Sequence, residues 1–98
     1  MNREKLRLET LVQLRAVLKE LAPADSVIVF GSVLKPGRFN EASDVDLALE
    51  CEPSAMSIYQ LTSRLAEHLG RSVDVVLLPE CRFREKVLSQ GERWTLQG

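Results

Sequence analysis

The chain has 98 residues, of which 45% are hydrophobic, and this fraction is ordinary for a folded domain and too high for a disordered one. Its length predicts a single domain spanning residues 1–98. Thirteen basic residues against 14 acidic ones give a net charge of −1, so bulk positive charge for binding DNA or RNA is absent. No apolar run approaches the roughly 18 residues of a membrane span. Cys51 and Cys81 lie far apart in no metal-binding pattern, which predicts reduced, structural thiols in a cytoplasmic protein.

The first half of the chain predicts one helix followed by two strands. Apolar residues recur at helical spacing in the opening segment, at Leu8, Leu11, Val12, Leu14, Leu18 and Leu21. Pro23 disfavours a continuation of this helix. Residues 26–30 (SVIVF) are short, apolar and β-branched, as in a buried strand. A polar loop follows, and residues 44–50 (DVDLALE) then alternate as a second strand does, with Ala48 on the polar face beside the aspartates.

The second half predicts a helix, a third strand and a shorter final helix. Ser54 is the expected N-cap of the first of these helices, and Gly70 its end. Residues 72–78 (SVDVVLL) predict a strand that Pro79 stops, residues 80–89 a short helix, and ERWTLQG a loose tail. This order predicts an α/β (α+β) fold, in which a small mixed sheet of three to four strands is backed by helices.

Three aspartates carry the chemistry that this arrangement offers. Asp44 and Asp46 are two residues apart on one strand, so both side chains lie on the same face. Asp74 is a third carboxylate, placed within the apolar third strand. Carboxylates converging from two adjacent strands would form an oxygen-rich site that suits Mg²⁺ or Mn²⁺. The alternatives are solvated aspartates, and an ion pair between Asp74 and Arg71 or Arg82.

Gly31 and Ser32 make the catalytic interpretation more specific. They follow a buried strand and precede the paired aspartates by about a dozen residues. Glycine permits a close backbone approach, and successive N–H groups in such a turn can hold phosphate oxygens. The two parts together predict a site in which the turn holds phosphates and the aspartates hold the metals that bridge them.

The stretch FGSVLKPGRFNEASDVDLALE resembles the Gly-Ser…Asp-x-Asp signature of the DNA polymerase beta-like nucleotidyltransferase superfamily. The small size is similar to that of its minimal nucleotidyltransferase (MNT) branch, the antitoxin-type partners of HEPN-domain proteins. The resemblance implies the nucleotidyltransferase fold, with Gly31 and Ser32 at the nucleotide phosphates. It implies that Asp44 and Asp46 bind metal, and that Asp74 acts as general base and also contacts metal.

The loop after the turn departs from that family. Many relatives have arginine directly after Gly-Ser and again two positions later, where this chain has Val33 and Lys35. Lys35 and Arg38 are the candidates to supply positive charge to the nucleotide phosphates. A solvated loop with no such role is the alternative.

The resemblance also implies an activity and a partner. It implies an antitoxin that uses Mg²⁺, with two ions expected, to transfer AMP from ATP to a tyrosine hydroxyl of a HEPN toxin, in a hetero-oligomer. The exposed part of the first helix and the tail with Trp94 are candidate docking surfaces, although Trp94 could instead cover the core. The main alternative is a binding module that neutralises its partner sterically and keeps a vestigial nucleotide site. A third possibility is transfer to a small molecule or an RNA end.

Overall fold

A computed structural model describes residues 2–22 and 26–96. The helices are α1 (Arg3–Leu21), α2 (Ile58–Leu69) and α3 (Arg84–Gln90). The strands are β1 (Ser26–Phe30), β2 (Val45–Leu49), β3 (Val73–Leu77) and β4 (Glu92–Thr95). Short 3₁₀ turns at Ser32–Leu34 and Leu78–Glu80 follow β1 and β3.

The four strands form one mixed sheet in the order β3-β2-β1-β4. β1 runs antiparallel to both of its neighbours, whereas β2 and β3 are parallel. A parallel pair needs a crossover connection, and α2 supplies it. The predicted α/β class, with a small mixed sheet backed by helices, is therefore confirmed.

The two faces of the sheet are covered unequally. α1 and α2 pack on one face, with Leu14, Leu18, Leu61 and Leu65 fully buried against strand residues such as Leu47. The other face carries a smaller cluster, formed by Ile28, Ala48, Leu78 and Val87 of α3. Ala48 does share its face with Asp46, as the alternation predicts, but α3 buries it completely.

The apolar face of α1 is narrower than the sequence predicts. Leu8 and Val12 are 49% and 72% exposed, while Thr10 and Val17 are buried. The contact with the sheet and α2 runs through Leu14 and Leu18, and residues at the edge of the apolar stripe face solvent. The stop signal at Pro23 lies outside the described residues.

The predicted start of α2 at Ser54 is wrong. Ser57 is the N-cap, because Gln60 stands three residues later and the two side chains form a reciprocal capping box. The end of α2 is as predicted, since Gly70 adopts the left-handed conformation with φ +66°.

The prediction of a loose tail is wrong for residues 92–96, the part of it that the structure describes. Residues 92–95 form β4, which pairs with β1 and places Trp94 opposite Val27. Trp94 is only 4% exposed, and the Arg15 guanidinium lies 4.3 Å from its ring centroid. Trp94 is thus part of the core, and the alternative of docking through this residue is wrong. α3 begins at Arg84, four residues later than expected, because Pro79 sits in a 3₁₀ turn.

The two cysteines are free, as expected. Cys51 is exposed, so the prediction of a structural role for its thiol is wrong. Among residues 2–22 and 26–96, no helix has the length and apolar character that crossing a membrane requires.

Candidate active site

The parallel register of β2 and β3 places two of the three aspartates side by side. Asp46 is the direct partner of Asp74 across this pair, and Phe30 of β1 is the partner of Asp46 on the other side. Asp44 stands two residues before Asp46, directly before β2 begins. Asp46 is half-buried, while Asp44 and Asp74 are exposed. The site therefore lies on the sheet face that also carries Ala48 and α3, next to the last residue of β1.

Gly31 lies against the Asp46 carboxylate. Its φ of +83° and ψ of −157° belong to a region that only glycine adopts readily. A Cβ atom at this position would lie 2.3 Å from Asp46 Oδ2 and 3.2 Å from its Cγ. Glycine is thus required both for the backbone turn after β1 and for space beside the carboxylate.

The surroundings of Asp46 disfavour its charged form. Burial, then the neighbouring carboxylates of Asp74 and Asp44, raise the pKa of Asp46 to about 6. Asp46 is therefore the carboxylate that gains most from a cation or from a proton.

The turn after Gly31 is anchored to α1. Arg7 Nη1 donates a hydrogen bond of 3.1 Å to the carbonyl oxygen of Val33, and Arg7 is held in turn by Glu4 at 2.6 and 3.0 Å. Val33 itself is fully buried in the core. The position where many relatives carry arginine therefore points into the protein here, while Ser32 beside it stays partly accessible.

A pocket of about 370 Å³ opens next to this turn, between the end of β1 and α3. Phe30, Gly31 and Lys35 line one side of it, and Phe83 and Lys86 line the other. Lys35 is thus placed beside the turn as expected, whereas Arg38 is exposed and does not line the pocket. Lys86 was not predicted from the sequence, and no motif marks it, because it reaches the pocket only through the packing of α3.

The alternative ion pair for Asp74 is not formed. Arg71 donates to the carbonyl oxygens of Asn40 and Ser43 at 3.2 and 2.8 Å, and its guanidinium lies 4.6 Å from the Phe39 ring centroid. In the described part of the chain, Asp74 makes no ion pair with Arg71 or Arg82.

The donor set fits a divalent cation in its chemistry. Hard carboxylate oxygens are the ligands that Mg²⁺ and Mn²⁺ prefer. Burial first, and then the charges of Asp74 and Asp44, raise the pKa of Asp46, and a bound cation would favour its charged form. Within the described ranges, no three acidic, cysteine or histidine side chains are already drawn together as a metal centre. Of the three aspartates, Asp46 and Asp74 are the two that strand pairing holds side by side.

Comparisons with known proteins give a family and a shared fold. Residues 12–94 match the family model described as "Polymerase beta, Nucleotidyltransferase". A chain of the crystal structure of a toxin-antitoxin with AMP-PNP superposes with a TM-score of 0.60 and 25% identity, over 88% of this chain and 71% of that one. A chain of the toxin-antitoxin MntA-HepT superposes with a TM-score of 0.53 and 22% identity, over 92% and 71%. The second likeness supports the fold alone.

Proposed function

Because this chain belongs to the polymerase beta nucleotidyltransferase family, we propose that it transfers AMP from ATP to a hydroxyl group of a partner protein. The partner we propose is a HEPN toxin that this chain silences as its antitoxin, and the acceptor is a tyrosine, as in the branch it resembles. The pairing of Asp46 with Asp74, beside Gly31, is the observation that carries this proposal. The fold shared with a toxin-antitoxin structure that contains AMP-PNP supports it.

Each part of the site has a role in this reaction. The acceptor oxygen forms a bond to the α-phosphorus of ATP, the bond to pyrophosphate breaks, and the hydroxyl proton passes to the Asp74 carboxylate. Gly31 and Ser32 hold the phosphates, with Lys35 nearby and Arg38 on the same loop. Asp74 is exposed on the outer strand β3, where an incoming hydroxyl can reach it.

Asp44, Asp46 and Asp74 are the proposed ligands of Mg²⁺. When bound, the metal would neutralise phosphate charge and stabilise the pyrophosphate leaving group. Asp46 is half-buried and lies beside two other carboxylates, so a bound cation would stabilise its charged form. The reaction also fits the cytoplasm, where ATP is available and free thiols such as those of Cys51 and Cys81 stay reduced.

A second candidate function is steric neutralisation without catalysis. The burial of Val33, at the position where relatives carry arginine, is the observation that favours it. The two functions predict different results for the double variant Asp44→Asn and Asp46→Asn, provided that this variant still folds.

The test uses the product of the open reading frame next to the gene of this chain as the partner. Under the catalytic proposal, the double variant still binds the partner but no longer relieves its toxicity in cells. A double variant that neutralises the partner as well as wild type would reject catalysis and leave the binding module.

A further inference from the structure

The charged residues that line the pocket between β1 and α3 are all positive. Its titratable lining residues are Lys35 and Lys86, and no acidic side chain lines it. Both lysines are exposed, and within residues 2–22 and 26–96 neither takes part in an ion pair. Two unpaired ammonium groups facing one concave space favour an anionic ligand with several oxygens.

The pocket adjoins the candidate active site on the β1 side. Gly31 forms part of its wall and lies against Asp46 on the other side. The strand order β3-β2-β1 therefore places Asp74, then Asp46, then this pocket in succession across the sheet. In the proposed reaction Asp74 receives the acceptor, so the leaving pyrophosphate departs on the opposite side, towards the pocket.

The wall of the pocket is apolar apart from the two lysines and Gln90. The rings of Phe30 and Phe83 meet edge to face, with centroids 6.2 Å apart, and Val87 lies beside them. These apolar side chains stand beside the two exposed lysines, so a phosphate held there would be partly shielded from water, which strengthens its attraction to an ammonium group.

We propose that Lys86 of α3 binds the β- and γ-phosphates of ATP opposite Lys35, in the role that the buried Val33 cannot fill. This inference rests on the proposed function and adds to it a second cation from a different element of the fold. Through Lys86, α3 contacts the nucleotide directly, although α3 contributes none of the three aspartates.

The experiment compares the affinities of the full chain for ATP and AMP by calorimetry with Mg²⁺ present. Lys86→Met is expected to weaken ATP binding about tenfold and AMP binding less than about twofold, because AMP lacks the two distal phosphates. The matched control is Arg84→Met, which removes one charge from the same helix but from a residue that does not line the pocket. Lys86→Arg is expected to keep most of the ATP affinity.

Each result decides between named alternatives. If Lys86→Met and Arg84→Met lost equal ATP affinity, Lys86 would act only through the overall positive charge, and the inference would be overturned. Equal losses for ATP and AMP would place Lys86 away from the distal phosphates and also overturn it. In both cases the wild-type chain still binds ATP, so the proposed function stands. A wild-type chain that binds no ATP would overturn the proposed function and this inference together.

Discussion

Gly31 and Asp46 constrain each other at the level of single atoms. The carboxylate occupies the space that any side chain at position 31 would need, and the backbone there has a conformation that glycine alone tolerates well. The partner strand then holds Asp74 in register with the same carboxylate. One glycine therefore determines whether the central carboxylate of the site can keep its position.

Gly31→Ala is expected to damage the site more than the fold. The added methyl group displaces the Asp46 carboxylate, and we expect nucleotide transfer to fall by more than tenfold. The matched control is Gly37→Ala, because Gly37 has a similar φ of +81° but no neighbour within 4 Å. Both variants are expected to lose about 1–3 kcal/mol of stability from backbone strain. If Gly37→Ala lost transfer equally, loop strain and not Asp46 would explain the effect.

Asp46 also predicts how stability depends on pH. Its pKa in the folded protein, raised to about 6, exceeds the ordinary value of 3.8. Between these pH values the folded chain holds a proton that the unfolded chain has lost, so stability falls as pH rises through this window. Asp46→Asn is expected to remove this slope and to stabilise the protein at pH 7.5 by about 1 kcal/mol, after allowance for solvent screening of a half-exposed carboxylate.

The measurement is thermal unfolding from pH 4 to 8 in EDTA, where the variant is expected to melt about 5 °C above wild type at the upper end. Added Mg²⁺ should stabilise wild type and reduce this difference, because a ligand that binds only the folded state shifts unfolding. Parallel pH profiles for the two proteins would contradict a raised pKa of Asp46, which burial and the two neighbouring carboxylates produce together.

At the scale of secondary-structure elements, local sequence patterns predicted the helices and strands that bury one regular face. Alternation at residues 44–50 and helical spacing from Ile58 to Leu69 gave β2 and α2, because each element buries one regular face. Alternation predicted the face on which Asp46 lies, whereas the register of β2 with β3, which depends on tertiary pairing, placed Asp74 beside it. The N-cap at Ser57 has a local signal as well, because Gln60 stands three residues later, whereas Ser54 has no Glu or Gln at that spacing.

β4 could not be predicted in this way. Its residues, Glu92–Thr95, are mostly charged or polar, and only pairing with β1 makes them a strand. Gly91 permits this pairing, since a Cβ atom there would lie 2.5 Å from the Val87 carbonyl oxygen and 2.6 Å from Ile28. The place of Lys86 in the pocket could not be predicted for the same reason, because the position of α3 depends on tertiary packing.

Trp94→Ala is expected to destabilise the protein by about 3–5 kcal/mol, because it removes a large buried side chain from the core cluster. Its indole Nε1 also donates a 2.8 Å hydrogen bond to Glu92. Thr95→Ala is the control, since Thr95 is exposed on the same strand and its loss is expected to cost less than about 1 kcal/mol. Denaturant unfolding measures both. A cost for Trp94→Ala no greater than that of the control would contradict the placement of β4.

At the scale of the whole molecule, the sheet orders the proposed reaction from one side to the other. β1 and α3 line the proposed phosphate pocket, β2 carries Asp46, and β3 presents Asp74 at the outer edge of the sheet. No further strand covers β3 in the described ranges, so an acceptor side chain from another protein can approach Asp74 there. In the proposed reaction, this chain would carry the nucleotide and the partner would bring the hydroxyl.

The most direct test of the account is the intact mass of the partner after incubation with this chain, ATP and Mg²⁺. The account predicts that the partner gains one or more AMP units, and that the chain with Asp44→Asn and Asp46→Asn adds none. A stable complex between the two proteins with no gain in mass would contradict it, and the aspartates would then serve a binding module.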